Sequence, residues 1–207
     1  MEGFMKHYED FKPIIDEKLD EFRRVHNEGS DVWFEEMAFC IFAANSSADM
    51  GLLAVDLLRP VLKDGSLEDY KEAVRGKVRF YNVRSEFLYY NKNLLAEKGV
   101  SLKELIKSQS NFYDRRRFIK DNFKGFGFKE ASHFLRNVGY KGYAIVDKHV
   151  LKVLKGLEVL DSDRPPKIEE EYYGVESKIH WFAKSRGLSV DALDLALWSY
   201  KTGKIVK

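Results

Sequence analysis

The stretch FKGFGFKEA, residues 123–131, is the most informative part of this 207-residue chain. It places two glycines one residue apart and puts Lys129 two residues after the second of them. Residues 113–122 before it and 128–138 after it carry apolar side chains at helical spacing, and Gly139 is placed to end the second segment. The pattern predicts two helices joined by a tight glycine hairpin.

Gly125 and Gly127 allow positive φ and leave backbone N–H groups uncovered at the start of the second helix. Uncovered N–H groups at a helix N-terminus bind an anion such as a phosphate. An ordinary corner between two helices uses the same glycines, so the hairpin alone leaves both interpretations open. The dinucleotide-binding fingerprint does not fit, because Glu130 occupies the position of its third glycine and no strand is predicted before it.

Helical patterns cover nearly all of the remaining chain, and the fold class predicted is therefore all-α. The best strand candidate, residues 143–146, is too short to build a sheet. We expect two helical lobes, one formed by residues 31–139 and the other by residues 1–30 with 140–207. The other predicted helices span residues 12–27, 31–42, 50–62, 67–74, 85–98, 102–107, 148–154, 168–186 and 190–202.

Composition limits the classes of function. Basic residues number 35 and acidic residues 33, so any nucleic-acid site has to be a local patch. Cys40 is the only cysteine, which excludes an internal disulfide and a cysteine-built zinc or iron–sulfur site. The charged N-terminal residues do not form a signal peptide, and no apolar run reaches membrane-spanning length. We expect a soluble cytoplasmic protein that does not associate with membranes.

A second stretch, GYKGYAIVDKHV at residues 139–150, places Asp147 directly before a predicted helix. The simplest interpretation of Asp147 is an N-cap, because aspartate is among the preferred capping residues. Asp147 also follows Lys129 by 18 residues, which places each at the start of a predicted helix. A connection of that length can bring an amine and a carboxylate into one phosphate-binding cleft.

Together, FKGFGFKEASHFLRNVG (residues 123–139) and AIVDKHV (144–150) resemble the helix-hairpin-helix DNA glycosylases. More narrowly, the chain resembles the archaeal-type 8-oxoguanine DNA glycosylase/AP lyase family. The resemblance implies that Lys129 is the nucleophile and Asp147 the second catalytic group. Lys124 replaces the usual hairpin proline, and the iron–sulfur cysteines of the endonuclease III branch are absent.

The activity that the resemblance implies is bifunctional. Such an enzyme flips 8-oxoguanine out of the helix and excises it, and then cleaves the strand by β-elimination through a lysine Schiff base. No cofactor is implied, the lobes are expected to flank a DNA cleft, and the partner is double-stranded DNA that contains 8-oxoguanine or an abasic site. We expect a monomer. The residues leave open a related glycosylase for another damaged base and a non-catalytic DNA-binding module.

The resemblance also implies contacts to the DNA backbone and to the estranged base. Asn45 corresponds to the position that fills the space left by the flipped base, although an N-cap for the next helix is an equal alternative. Arg84 corresponds to a basic position on the DNA-facing side, with a plain surface charge as the alternative. His149 is expected to contact a phosphate, as are the N–H groups at Gly125 and Gly127.

Three further residues are implied to recognise the base. His133 is expected near the base pocket, although a core histidine is the simpler interpretation. Trp198 supplies a stacking face in the family, with core packing as the alternative. The chain end at Lys207 is implied to reach the pocket and offer its α-carboxylate, whereas a frayed tail is the alternative. No side-chain metal site is predicted, but the hairpin carbonyls of Asp121, Phe123 and Phe126 are implied to bind K⁺ or Na⁺.

Overall fold

The computed structural model describes residues 1–207 and contains eleven α-helices and no strand, which confirms the all-α prediction. The predicted bounds of α4, α6 and α11 agree with the structure, and most others differ by one to four residues. The helices are α1 (Glu2–Asn27), α2 (Ser30–Ala43), α3 (Ala48–Leu58), α4 (Leu67–Val74), α5 (Tyr81–Lys98), α6 (Leu102–Lys107), α7 (Phe112–Asn122), α8 (Phe128–Asn137), α9 (Lys148–Gly156), α10 (Glu169–Ser185) and α11 (Val190–Thr202).

Helix α1 begins at Glu2, ten residues before the predicted start, and continues through Pro13. Proline in a helix interior removes one backbone hydrogen bond and normally ends or bends the helix. Here the helix continues because its buried residues form one apolar stripe on both sides of the proline. These residues are Phe4, Tyr8, Ile15 and Phe22.

One compact unit comprises Asn27–Phe134. Its centre is α2, which is buried over most of its length and packs against α3, α5 and α6. Helix α4 packs against α3 and α5, and α6 packs against α7. Serine side chains cap α3, α4 and α6, since Ser47, Ser66 and Ser101 each accept a hydrogen bond from a backbone N–H in the first turn.

The other compact unit comprises Met1–His26 and Leu135–Lys207. Helix α11 is buried along almost its whole length and packs against α9 and α10. The best strand candidate, residues 143–146, does not form a strand: this segment is a buried loop without regular structure. The predicted limits of the two helical lobes, residues 31–139 and residues 1–30 with 140–207, stay a prediction. None of the helices is both long and apolar enough to cross a membrane.

Candidate active site

The hairpin between α7 and α8 needs glycine at one of its two glycine positions. Gly125 has φ +88°, and a Cβ added there would lie 3.1 Å from Phe87 and 3.3 Å from Ile41. Both the left-handed backbone and the lack of space therefore require glycine. Gly127 lies outside the left-handed region, so the hairpin uses the positive φ that glycine allows at Gly125 alone. A Cβ there would approach only the flexible end of Glu130, at 3.2 Å.

A buried side chain from α5 fixes the start of the hairpin. Asn91 is fully buried, and its Oδ1 accepts a hydrogen bond of 2.8 Å from the Lys124 backbone N–H. Its Nδ2 donates to the Lys124 carbonyl at 3.0 Å. The two bonds occupy both backbone groups of Lys124, at the position where the family usually has proline. Sequence reasoning missed Asn91, because nothing near it in the chain marks a partner 33 residues away.

Lys129 lies in the first turn of α8, immediately after the hairpin. Its side chain is 31% exposed, and Nζ lies 3.4 Å from Oε1 of Glu130. This long ion pair is the one side-chain contact that the amine makes. The amine is thus positioned by the hairpin and accessible to a molecule that binds there.

Asp147 is the N-cap of α9, as the simplest interpretation predicted. Its Oδ1 accepts hydrogen bonds from the backbone N–H groups of His149 and Val150, both at 2.8 Å. Its Oδ2 receives no hydrogen bond from the protein, and the residue is half-buried. One oxygen therefore fixes the helix while the other remains available for a ligand. The His149 ring lies half-buried in the same helical turn.

A buried ion pair lies close to Asp147 in the same unit. Arg136 Nη1 donates to Asp194 Oδ2 at 2.6 Å, and both side chains are almost completely buried. Burial raises the pKa of Asp194 to about 7, against the opposing effects of Arg136 and of a hydrogen bond from the Ile145 N–H. The charge of Asp147 adds to the rise. Sequence reasoning did not identify Asp194 as part of the site.

Asn45 lies in the turn between α2 and α3, where it is exposed and adopts φ +51°. The N-cap of α3 is Ser47, so the alternative interpretation of Asn45 as that cap is wrong. Arg84 is 6% exposed and donates to the carbonyls of Phe42, at 2.7 Å, and of Ala44. Its interpretation as a surface charge is therefore also wrong. Burial, with the charge of Arg79, lowers the pKa of Arg84, and its guanidinium holds the backbone that leads into Asn45.

Phe80 is a candidate residue that sequence reasoning missed. Its ring is 58% exposed, and it adopts φ +56° at the N-cap of α5, a conformation that is costly for a bulky side chain. The guanidinium groups of Arg79 and Arg84 lie 5.2 and 5.4 Å from the ring centroid. Exposed aromatic rings beside arginines are typical of nucleic-acid contacts. The sequence signal is the aromatic pair that follows Arg79 in VRFY.

The residues implied to recognise the base lie in three places. His133 is half-buried on α8, and its ring meets Phe39 edge to face with centroids 5.4 Å apart. Trp198 is half-buried on α11 and makes no contact with another aromatic ring. Lys207 is partly buried in the segment that follows Gly203, where α11 ends in a left-handed turn. Their roles in base recognition stay predictions.

The structure contains no cluster of three or more histidine, cysteine, aspartate or glutamate side chains arranged to hold a metal ion. A monovalent cation takes carbonyl oxygens instead. The Asn91 amide donates to the Lys124 carbonyl rather than to those of Asp121, Phe123 or Phe126. Cation binding by these three carbonyls stays a prediction.

A helix-hairpin-helix motif, a lysine at its exit and an aspartate that caps the next helix together define the class of helix-hairpin-helix DNA glycosylases. The comparisons narrow this class. The family model described as 8-oxoguanine DNA glycosylase matches residues 15–188. The chain therefore belongs to the 8-oxoguanine DNA glycosylase family.

The similarity to known proteins extends over almost the whole chain. The 8-oxoguanine DNA glycosylase/AP lyase of Methanocaldococcus jannaschii is 34% identical over 203 residues, covering 96% of this chain and 94% of the relative. The relative of the same name from Thermoplasma volcanium is 36% identical over 195 residues, covering 94% and 92%.

Two solved structures have the same fold as this chain. The M. jannaschii 8-oxoguanine glycosylase/lyase, in complex with a 15mer DNA containing 8-oxoguanine, matches with TM-score 0.89 and 31% identity over 100% of both chains. The 8-oxoguanine DNA glycosylase of Thermotoga maritima matches with TM-score 0.89 and 34% identity, covering 100% of this chain and 97% of the other.

Proposed function

We propose that this protein is a bifunctional DNA repair enzyme that excises 8-oxoguanine from duplex DNA and then cleaves the strand at the abasic site. The observation that carries the proposal is the position of Lys129 at the exit of the hairpin, with an accessible amine and one long ion pair. Relatives named for this activity match over more than nine-tenths of the chain. We expect the protein to act as a monomer on cytoplasmic DNA.

Lys129 supplies the nucleophile. Its neutral amine attacks C1′ of the damaged nucleotide, and the bond between C1′ and the base breaks with its electron pair going to the base, which takes up a proton. The attached nitrogen then loses one proton, the C1′–O4′ bond breaks with O4′ taking up a proton, and a protonated Schiff base forms between Nζ and C1′. Removal of a proton from C2′ expels the 3′-phosphate and breaks the strand by β-elimination.

Asp147 stabilises the sugar as positive charge develops during base loss. Its Oδ1 is occupied by the N–H groups of His149 and Val150, so Oδ2 is the oxygen that faces the substrate. A carboxylate held by its own helix needs little reorganisation when the charge appears. The capping role and the catalytic role are therefore compatible in one side chain.

The remaining residues hold the DNA. The side chain of Asn45 is exposed, has no hydrogen bond within the chain and is available to the estranged base. Arg84 acts indirectly, because its guanidinium holds the carbonyls just before Asn45. Phe80 adds an exposed aromatic face in the same unit. The N–H groups at Gly125 and Gly127 and the side chain of His149 take phosphates, and His133, Trp198 and Lys207 contact the flipped base.

Borohydride trapping tests the proposal directly, because borohydride reduces a Schiff base to a stable covalent link. The protein is incubated with a duplex that contains one 8-oxoguanine, and we expect a trapped complex and a cleaved strand. Lys129→Gln should abolish both while leaving binding to the duplex largely intact. Lys124→Gln is the matched control, since Lys124 lies in the same hairpin with its amine on the ring of Tyr90.

The outcomes separate the alternatives. Trapping that survives Lys129→Gln shows that another amine carries the chemistry. Trapping on an abasic duplex but not on 8-oxoguanine, together with excision of an oxidised pyrimidine or alkylated purine, shows a related glycosylase with another substrate. Tight binding without trapping on any of these duplexes shows a non-catalytic DNA-binding module.

A further inference from the structure

The loop that leads into Asp147, residues 138–147, has no regular structure, yet its residues 143–146 are buried. Tyr143, Ala144, Ile145 and Val146 are all almost completely removed from solvent. Buried backbone N–H groups need hydrogen-bond partners, and a loop without a neighbouring strand cannot obtain them from a sheet. The hydrogen-bond partners of these N–H groups therefore determine how the loop is held.

Buried carboxylates of α10 and α11 supply them. Asp191, Glu176 and Asp194 are each at most 6% exposed, and each accepts from a different N–H of the loop. The bonds run from Gly142 to Asp191 (3.1 and 3.2 Å to its two oxygens), from Ala144 to Glu176 (3.2 Å) and from Ile145 to Asp194 (3.1 Å).

Of the three carboxylates, Asp194 holds the loop closest to Asp147. It bonds the N–H of Ile145, and the Ile145 carbonyl in turn accepts a hydrogen bond of 2.8 Å from the N–H of Asp147. One residue, Ile145, thus links the two aspartates through its N–H and its carbonyl. The other oxygen of Asp194 is fixed by Arg136 at 2.6 Å.

Arg136 is itself held in place. Its Nη2 donates to Asn137 Oδ1 at 3.1 Å, and its guanidinium lies 5.0 Å from the ring centroid of Phe22. Asp194 is therefore fixed from two sides, by a positioned cation and by the loop backbone. Removing one partner of a buried ion pair strongly destabilises a protein, because it leaves an uncompensated charge in the interior.

We propose that Asp194 is a positioning residue for Asp147: held by Arg136, it fixes the backbone of Ile145 and thereby the direction in which the Asp147 carboxylate points. The inference rests on the proposed catalytic role of Asp147. Asp194 does not touch the substrate and acts through the loop. The simplest rival is that Asp194 only stabilises the fold.

Asp191 provides a matched control. It lies on the same helix, is equally buried and bonds the same loop. Its bond, however, is to Gly142, five residues before Asp147, and it forms no ion pair with Arg136 within 4 Å. A residue that only stabilises the loop would behave like Asp191, whereas a positioning residue would not.

The experiment compares Asp194→Asn and Asp191→Asn in the wild-type protein and in the Asp147→Asn variant. We measure thermal unfolding and single-turnover excision of 8-oxoguanine. Asp194→Asn should slow excision about tenfold in the wild-type background and less than about twofold in the Asp147→Asn background, because coupled residues are non-additive. Asp191→Asn should slow excision at most about twofold in either background.

Equal losses in both backgrounds, or equal losses for Asp194→Asn and Asp191→Asn, would overturn the inference. If Asp194→Asn does not fold, Arg136→Lys tests the same pair with a cation retained, and the same non-additivity is expected. The failure of the proposed function has a different signature, because Asp147→Asn itself would then retain full excision. An inactive Asp147→Asn with a fully active Asp194→Asn would reject the positioning role alone.

Discussion

At the scale of single residues, Asp147 caps a helix and is proposed to act as a catalytic carboxylate as well. Asparagine caps helices about as well as aspartate does, so Asp147→Asn should leave the free energy of unfolding within about 0.5 kcal/mol of wild type. The same change should slow base excision about a hundredfold or more, because the negative charge is lost. Thermal unfolding and single-turnover excision measure the two effects separately.

Asp147→Ala is the comparison for that prediction. It removes the cap as well as the charge, and should cost about 1 kcal/mol of stability in addition to the loss of activity. A fully active Asp147→Asn, alongside an Asp147→Ala that is merely less stable, would reduce Asp147 to a helix cap. The two variants therefore separate the capping role of Oδ1 from the catalytic role proposed for Oδ2.

Residue types were visible in the sequence, but their partners were not. Lys129 and Asp147 stood out because a hairpin and a cap mark them locally. Arg84 was interpreted as a DNA-facing or surface charge, yet its partners are carbonyls 40 and 42 residues earlier in the chain. Asn91 carried no signal for the same reason. Long-range hydrogen bonds depend on tertiary packing, which local patterns do not encode.

At the scale of elements, helices with local end signals were predicted well. Helices α4, α6 and α11 each begin after a serine whose side chain caps the first turn. Helix α5 begins four residues before its predicted start, and its N-cap residue, Phe80, is left-handed and makes no side-chain capping bond that the sequence could signal. Residues 143–146 are apolar and partly β-branched, which suggests a strand. In the structure, side chains of α10 and α11 accept hydrogen bonds from this backbone, where a sheet would use a neighbouring strand.

Substitutions at the two hairpin glycines should have different effects, one mainly on stability and the other mainly on DNA binding. Gly125→Ala should cost about 2 kcal/mol or more, from left-handed strain and from contact with Phe87 and Ile41. Gly127→Ala should cost less than about 1 kcal/mol, since its new Cβ meets only the movable end of Glu130. We expect Gly127→Ala instead to weaken DNA binding several-fold, because the methyl group covers N–H groups at the start of α8.

Denaturant unfolding and fluorescence anisotropy with an abasic-analogue duplex measure these two effects. If Gly127→Ala binds DNA with wild-type affinity, this part of the hairpin does not contact DNA. Equal stability losses for the two glycine variants would contradict the difference in φ between them.

At the scale of the whole molecule, charge is nearly balanced, with 35 basic and 33 acidic residues. DNA affinity should therefore come from a small number of phosphate contacts rather than from a general positive field. With about five contacts, the slope of log K against log salt concentration should be about −4.5. Anisotropy titrations between roughly 50 and 200 mM salt measure the slope. A slope near zero would contradict phosphate-based binding, and strong dependence on flanking sequence would contradict backbone recognition.

Helix α11 carries Asp191 and Asp194 against the loop before Asp147, and Trp198 one turn further along. On the proposed assignments, one rigid helix supports both the catalytic carboxylate and the recognition of the base. A mutation that tilts this helix to fit a new substrate also moves Asp194 and so disturbs the Asp147 carboxylate, because Trp198 and Asp194 lie on the same helix. Descendants of such an enzyme should therefore change their preferred lesion by exchanging the side chain at position 198, while positions 191 and 194 drift little.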